Sequence, residues 1–245
     1  MKQRHAERRR ITMSKLTSKH SLTILITGAT AGIGRHAALD LARAGHRVFA
    51  TGRRAAALDS LRKEDPRIET LVLDVTSADS IASAKREIER RTDGYGVDVL
   101  VNNAGYGLVG TLESVSDADL RAQFETNVFG LMAMTRAFLP QMRERRSGRI
   151  LNVSSMGGRV TFPFMGAYNA TKYAIESLSD ALRNEVAPFG VGVVLIEPGA
   201  IHTEFADVAM DTAAKYKAAD SAYAPVLARS DEIQKQMMAT AVGPE

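Results

Sequence analysis

From residue 22 onward, short apolar runs alternate with longer stretches in which apolar positions recur every three or four residues. The runs LTILIT (22–27), HRVFAT (46–51), ETLVLDV (69–75), VDVLVNNAG (97–105), RILNVSS (149–155) and VGVVLIE (191–197) have the length and composition of strands. Residues 33–44 place Ile33, Ala37, Leu41 and Ala44 at helical spacing, and Gly45 supplies a stop. Further helices are predicted around Leu58 and Leu61 and over 77–92, 117–146 and 167–187. Ser116 and Asp119 form a capping box for the third of these, and Pro140 predicts a kink or break inside it. Strands that are apolar along nearly their whole length, alternating with helices, specify a parallel sheet covered on both faces. The expected fold class is therefore α/β, a doubly wound parallel sheet in one domain.

Composition changes this picture only at the N-terminus. The chain has 245 residues and a formal charge of +4. Residues 1–20 hold seven basic side chains against Glu7, a net +6, which leaves the rest of the chain at −2. The tail lacks the apolar core of a secretory signal and reads as disordered, or as preceding a start at Met13. With a near-neutral body at residues 21–245, no nucleic-acid partner is expected, the rival being nucleic-acid or anionic-surface binding by the basic tail alone. The longest apolar runs are too short to span a membrane, and a cytoplasmic protein is expected. There is no Cys, and none of the five His forms an H-x-x-x-H pair, so no metal site is predicted.

The stretch TGATAGIG joins the first strand to the first helix, with glycines at 28, 32 and 34. Glycine admits positive φ and a close phosphate, and the helix start then presents free N–H groups and a positive dipole end. The spacing is G-x-x-x-G-x-G, not the commoner dinucleotide G-x-G-x-x-G. At the end of the second strand, where an acidic residue would accept from a ribose hydroxyl, stand Arg53 and Arg54. A base there accommodates a 2′-phosphate, which argues for NADP(H) over NAD(H). Asp74, ending the third strand, is placed either to contact adenine or to cap a turn.

Tyr168 and Lys172 lie four apart, on one face of a helix. An ammonium beside a phenol favours the phenolate, so the pair suits acid–base work on a carbonyl or alcohol. Ser154 and Ser155 end the fifth strand, where ligands of doubly wound sheets sit. Asn127 lies inside the long helix, an unfavourable place for Asn.

With TGxxxGIG at 27–34, NNAG at 102–105, Asn127, a serine thirteen residues before Tyr168, Tyr-x-x-x-Lys at 168–172 and EPGAIHT at 197–203, residues 20–203 resemble the short-chain dehydrogenase/reductase family, and most closely its hydroxysteroid and retinol dehydrogenase branch. The resemblance implies a Rossmann fold and an oxidoreductase. It implies that Tyr168 transfers the proton, Ser155 orients the substrate, Lys172 binds the nicotinamide ribose and lowers the tyrosine pKa, and Asn127 holds a relay water. The implied cofactor residues are Gly28, Thr30, Ala31, Gly32, Ile33, Gly34, Arg53, Asp74, Val75, Asn103, Ala104, Gly105, Tyr168, Lys172, Pro198, Gly199, Ile201 and Thr203.

The substrate implied is a small lipophilic carbonyl or alcohol. Tyr106, Leu108, Val109, Met156, Phe162, Phe164 and Phe205 are the candidate walls, beneath a helical lid at about 204–240. The family continues to a seventh strand, whereas this sequence ends at Glu245, so six strands are expected. A homodimer through helices 117–146 and 167–187 is implied as well. The rival reading is a dinucleotide-binding regulatory protein with weak or no catalysis.

Overall fold

The computed structural model describes residues 21–201, 203–216, 222–226 and 243. The basic tail and most of the expected lid beyond 216 lie outside the described residues.

Six parallel strands, β1 (Thr23–Ile26), β2 (Arg47–Gly52), β3 (Glu69–Val72), β4 (Val99–Asn102), β5 (Gly148–Val153) and β6 (Val191–Ile196), form one sheet in the order β3-β2-β1-β4-β5-β6. Alternation along each strand sends its residues to two cores. Leu25, Phe49 and Leu100 pack on one face with Ile81 and Ile88 of α3 (Ala78–Arg91) and Met134 and Phe138 of α5 (Leu131–Glu144). Ile24, Ile26, Val48 and Val101 pack on the other with Ala38 and Leu39 of α1 (Gly32–Arg43) and Leu61 of α2 (Ala55–Glu64). Both faces are thus covered, as the near-continuous apolar strands required. The strand order reverses between β1 and β4, and that crevice is where doubly wound sheets bind ligands.

The helix expected over 117–146 divides into α4 (Asp117–Phe124), a π-helical segment (Glu125–Gly130) and α5. Pro140 does not break it, because the helical pattern runs on to Glu144; the irregularity lies a dozen residues earlier, around Asn127. The capping box is only half formed. Ser116 Oγ accepts from the Asp119 N–H at 3.2 Å, but the Ser116 N–H donates to the Tyr216 hydroxyl. The Asp119 carboxylate instead pairs with Lys215 and Tyr216 at the end of α7 (Glu204–Tyr216). Helix α6 (Gly166–Val186) packs along β6.

Candidate active site

The ends of β1 and β4 are stitched together across the switch point. The Thr27 hydroxyl accepts from the N–H groups of Asn103 and Ala104, each at 3.0 Å. The Asn103 amide donates in return to the carbonyls of Thr27 and Gly28, also at 3.0 Å. Gly28 turns the chain with φ +66°, and a Cβ there would lie 2.7 Å from the Ala104 backbone. That contact and the left-handed φ both require glycine. Gly32, φ +52°, opens α1, and its N–H donates to Glu204 Oε2 at 3.0 Å. The start of α1 therefore already holds an anion, as a helix N-terminus favours.

A cavity of about 740 Å³ runs from this turn to α6 and α7. Every residue implied for the cofactor lines it except Gly34, which backs the turn from inside α1. Arg53 and Arg54 stand at one end, and Arg54 reaches the Thr30 hydroxyl at 3.3 Å. Asp74 caps its own turn through the N–H and hydroxyl of Thr76, at 2.9 and 2.8 Å. Burial opposes its ionisation, but those hydrogen bonds and the Arg53 charge hold the carboxyl below its ordinary range.

At the other end lie Ser155, Tyr168 and Lys172. Ser155 Oγ accepts from the Gly157 N–H at 3.0 Å and shares a hydrogen bond with the Tyr168 phenol. Burial raises the phenol above its ordinary value, and the Ser155 bond pulls the other way without cancelling it. The lowering expected from Lys172 is thus not what the phenol experiences. The ammonium lies 5.6 Å from the centre of the tyrosine ring and donates to the Val153 carbonyl at 2.8 Å. Burial pushes Lys172 itself down to about 8, with the charge of Glu176 opposing.

Asn127 does not line the cavity. Its amide is committed to the backbone of Tyr106, accepting from N–H at 3.1 Å and donating to C=O at 3.0 Å, and to Thr171 at 3.2 Å. It locks the loop after β4 onto α6. The π turn provides room for that reach, which accounts for an Asn in a helical stretch.

Helix α7 roofs the far wall. The Phe205 ring packs 5.5 Å from that of Tyr168, while Val208 and Ala209 line the cavity. Tyr106, Val109, Met156, Phe162 and Phe164 line it too, whereas Leu108 is core, its N–H donating to Gln123 at 2.7 Å. Glu204, Val208, Ala209 and Gly52 escape the sequence reading. The apolar spacing of EFADVAMDTAAKY signals the buried face of α7. Gly52 has no local signal; its demand comes from Thr30, whose methyl would lie 2.6 Å from an added Cβ.

Residues 22–214 match the family model described as short chain dehydrogenase. A 3-ketodihydrosphingosine reductase of Bacteroides thetaiotaomicron is 40% identical over 184 residues, 75% of this chain and 65% of that protein. Human 17-beta-hydroxysteroid dehydrogenase type 1 is 42% identical over 192 residues, 74% of this chain and 57% of that protein. The chain thus spans less than two thirds of either relative. The closed form of a serine dehydrogenase complexed with NADP+ superposes with a TM-score of 0.74 at 35% identity, covering 78% of this chain and 77% of its own. With the model matched from β1 into α7, over the sheet and the cavity alike, this chain belongs to the short-chain dehydrogenase family, an oxidoreductase family of the hydroxysteroid dehydrogenase-like branch.

Proposed function

We propose that this domain, residues 21–245, is a cytoplasmic NADP(H)-dependent oxidoreductase acting on a small lipophilic ketone, aldehyde or secondary alcohol. The observation that carries the reading is the joining of Ser155, Tyr168 and Lys172 to the glycine turn by one cavity. The turn fits a dinucleotide diphosphate: it opens a helix, and the Gly32 N–H at that helix start already binds a carboxylate. Thr30 to Ile33 would hold the diphosphate, Arg53 the 2′-phosphate, Asp74, Val75 and Asn103 to Gly105 the adenosine, and Lys172 with Pro198 to Thr203 the nicotinamide riboside. The NADP+ complex of the related serine dehydrogenase supports that choice of cofactor. When bound, the nicotinamide supplies or accepts the hydride.

Tyr168 holds the proton that the substrate oxygen gains in reduction. A phenol kept neutral by burial is a donor at neutral pH. Ser155, within hydrogen-bonding reach of the same phenol, orients that oxygen. Asn127 contributes by fixing Tyr106 and α6. Phe162, Phe164 and Phe205 make the wall apolar, which suits a lipophilic substrate. Phe129, 53% exposed, and Tyr173, 44% exposed, give the π segment and α6 an apolar outer face suited to a homodimer.

Tyr168→Phe removes only the hydroxyl. NADPH oxidation, screened over apolar ketones and aldehydes, is expected to stop in this variant, with NADPH affinity held within a few-fold. Undiminished turnover would overturn the assignment.

A further inference from the structure

The loop between β5 and α6 carries Ser155 near its start and the apolar wall residues Phe162 and Phe164 further on. One side chain of α6 grips this loop from within. Asn169, which follows Tyr168 in sequence, is 1% exposed. Its Nδ2 donates to the Gly157 carbonyl at 2.9 Å and, at the longer distance of 3.4 Å, to that of Val160. Its Oδ1 accepts from the Phe162 N–H at 3.1 Å. Carbonyls on one side and an N–H on the other allow the amide a single orientation. Gly157 is also the residue whose N–H donates to Ser155 Oγ, at 3.0 Å. A Cβ at Gly157 would lie 2.5 Å from Asn169 Nδ2, so the amide lies directly against the turn that holds the serine.

We infer that Asn169 is a positioning residue with two separable tasks: its Nδ2 sets the turn that fixes Ser155, and its Oδ1 sets the Phe162 wall of the cavity. The inference rests on the proposed reading of Ser155 and Tyr168 as the groups that meet the substrate oxygen.

The physical case starts from what the loop lacks. Between the short 3-10 turn Met156–Gly158 and the start of α6 there is neither helix nor strand. Backbone groups there have no ladder to satisfy them and must find partners elsewhere. Asn169 supplies three of those partners. The loop is also strained, because Phe164 stands at φ +65°, a conformation costly for a bulky side chain that persists only where the surroundings enforce it. The Gly110 N–H holds the Phe164 carbonyl at 2.8 Å from one side, and Asn169 holds the loop from the other. Since the amide projects from the turn of α6 that carries Tyr168, the serine turn and the tyrosine share one frame. Both polar atoms of the amide are committed to the loop, so it acts on the reaction through Ser155 and Phe162. An orienting group displaced by about 1 Å costs a reaction about 100-fold, which gives such a brace its value.

Two variants separate the arms. Asn169→Leu removes both, whereas Asn169→Asp keeps an acceptor for the Phe162 N–H and sets an oxygen against the Gly157 carbonyl. With NADPH and an apolar ketone, Asn169→Leu is expected to lower kcat about 10- to 100-fold and to raise KM several-fold. Asn169→Asp should lower kcat alike while KM stays within about twofold of wild type. The loss in kcat must also run through the serine: Ser155→Ala alone and Ser155→Ala combined with Asn169→Leu should agree within about threefold, whereas independent sites would multiply. Multiplied losses, or wild-type kcat in Asn169→Leu, overturn the inference. Amide exchange reads the brace without turnover: the Phe162 N–H should exchange about tenfold faster in Asn169→Leu and stay slow in Asn169→Asp, and unchanged exchange in Asn169→Leu overturns it. Should neither variant fold, Gly157→Ala decides, since its Cβ displaces Nδ2; the same fall in kcat is expected, and wild-type kcat overturns the inference. Failure of the underlying reading looks different: Ser155→Ala and Tyr168→Phe keep full turnover while Phe162 exchange responds as described, and that outcome ends both.

Discussion

Gly34→Ala is the sharpest test of how the nucleotide turn is built. Gly34 has ordinary helical backbone, so Ala brings no φ penalty and gains about 1 kcal/mol of helix propensity. The cost is spatial. The new Cβ would lie 2.4 Å from Asn103 Nδ2 and 2.6 Å from the Gly28 carbonyl oxygen. The carbonyl is backbone of a turn already fixed by a left-handed glycine, and cannot yield. The Asn103 amide can move only by giving up its bonds to the Thr27 and Gly28 carbonyls, about 1 kcal/mol each. Forcing a methyl into a packed site adds about 1–3 kcal/mol. Less the propensity gain, the net loss is about 2–4 kcal/mol, and even about 2 kcal/mol lowers the melting temperature of a domain this size by about 4–8 °C. Thermal and urea melts of Gly34→Ala beside Gly199→Ala measure it. Gly199 has nothing within 4 Å of its added Cβ and no positive φ, so its variant should melt within about 0.5 kcal/mol of wild type. A Gly34→Ala protein as stable as wild type would refute the packing argument, as would equal losses in both variants.

Two further predictions concern the cofactor. Arg53→Asp should lower the ratio of kcat/KM for NADPH over NADH by about 10- to 100-fold, the worth of one charge-assisted hydrogen bond to a phosphate; an unchanged ratio would remove Arg53 from that role. Glu204→Gln takes away the negative charge that the Gly32 N–H binds in competition with a diphosphate. Since an anion at a helix start is worth about 0.3–1 kcal/mol at an exposed site, NADPH should bind about 2- to 5-fold tighter in a fluorescence titration. Equal or weaker binding would show that the contact does not compete.

Elements written in a local pattern are legible in the sequence. Each strand repeats apolar residues on both faces, and each of α1, α3 and α6 carries its own stripe, so the order of residues is enough to specify the doubly wound sheet. The π segment is not legible in that way. Within it the Asn127 amide bonds both Tyr106 and Thr171, and nothing in ETNVFG announces partners 21 and 44 residues away. The capping box misleads for the same reason: Asp119 is the right residue at the right spacing, but Lys215 and Tyr216 of α7 are stronger partners for its carboxylate than the Ser116 N–H.

The same division runs through the site. Gly28, Ser155, Tyr168 and Lys172 stand out because their spacing along the chain is the signal. What sets their chemistry is not in the spacing. Tyr-x-x-x-Lys suggests a phenol made acidic by its neighbour, yet burial dominates the phenol, and the ammonium is turned to the Val153 carbonyl. An i, i+4 pair read from sequence fixes which side chains share a face; it does not say how much water the fold leaves them. That quantity depends on Phe205 of α7 lying against the Tyr168 ring and on β5 passing under Lys172, contacts made by segments 37 and 19 residues distant. Proton affinity in this site is therefore a property of the tertiary enclosure.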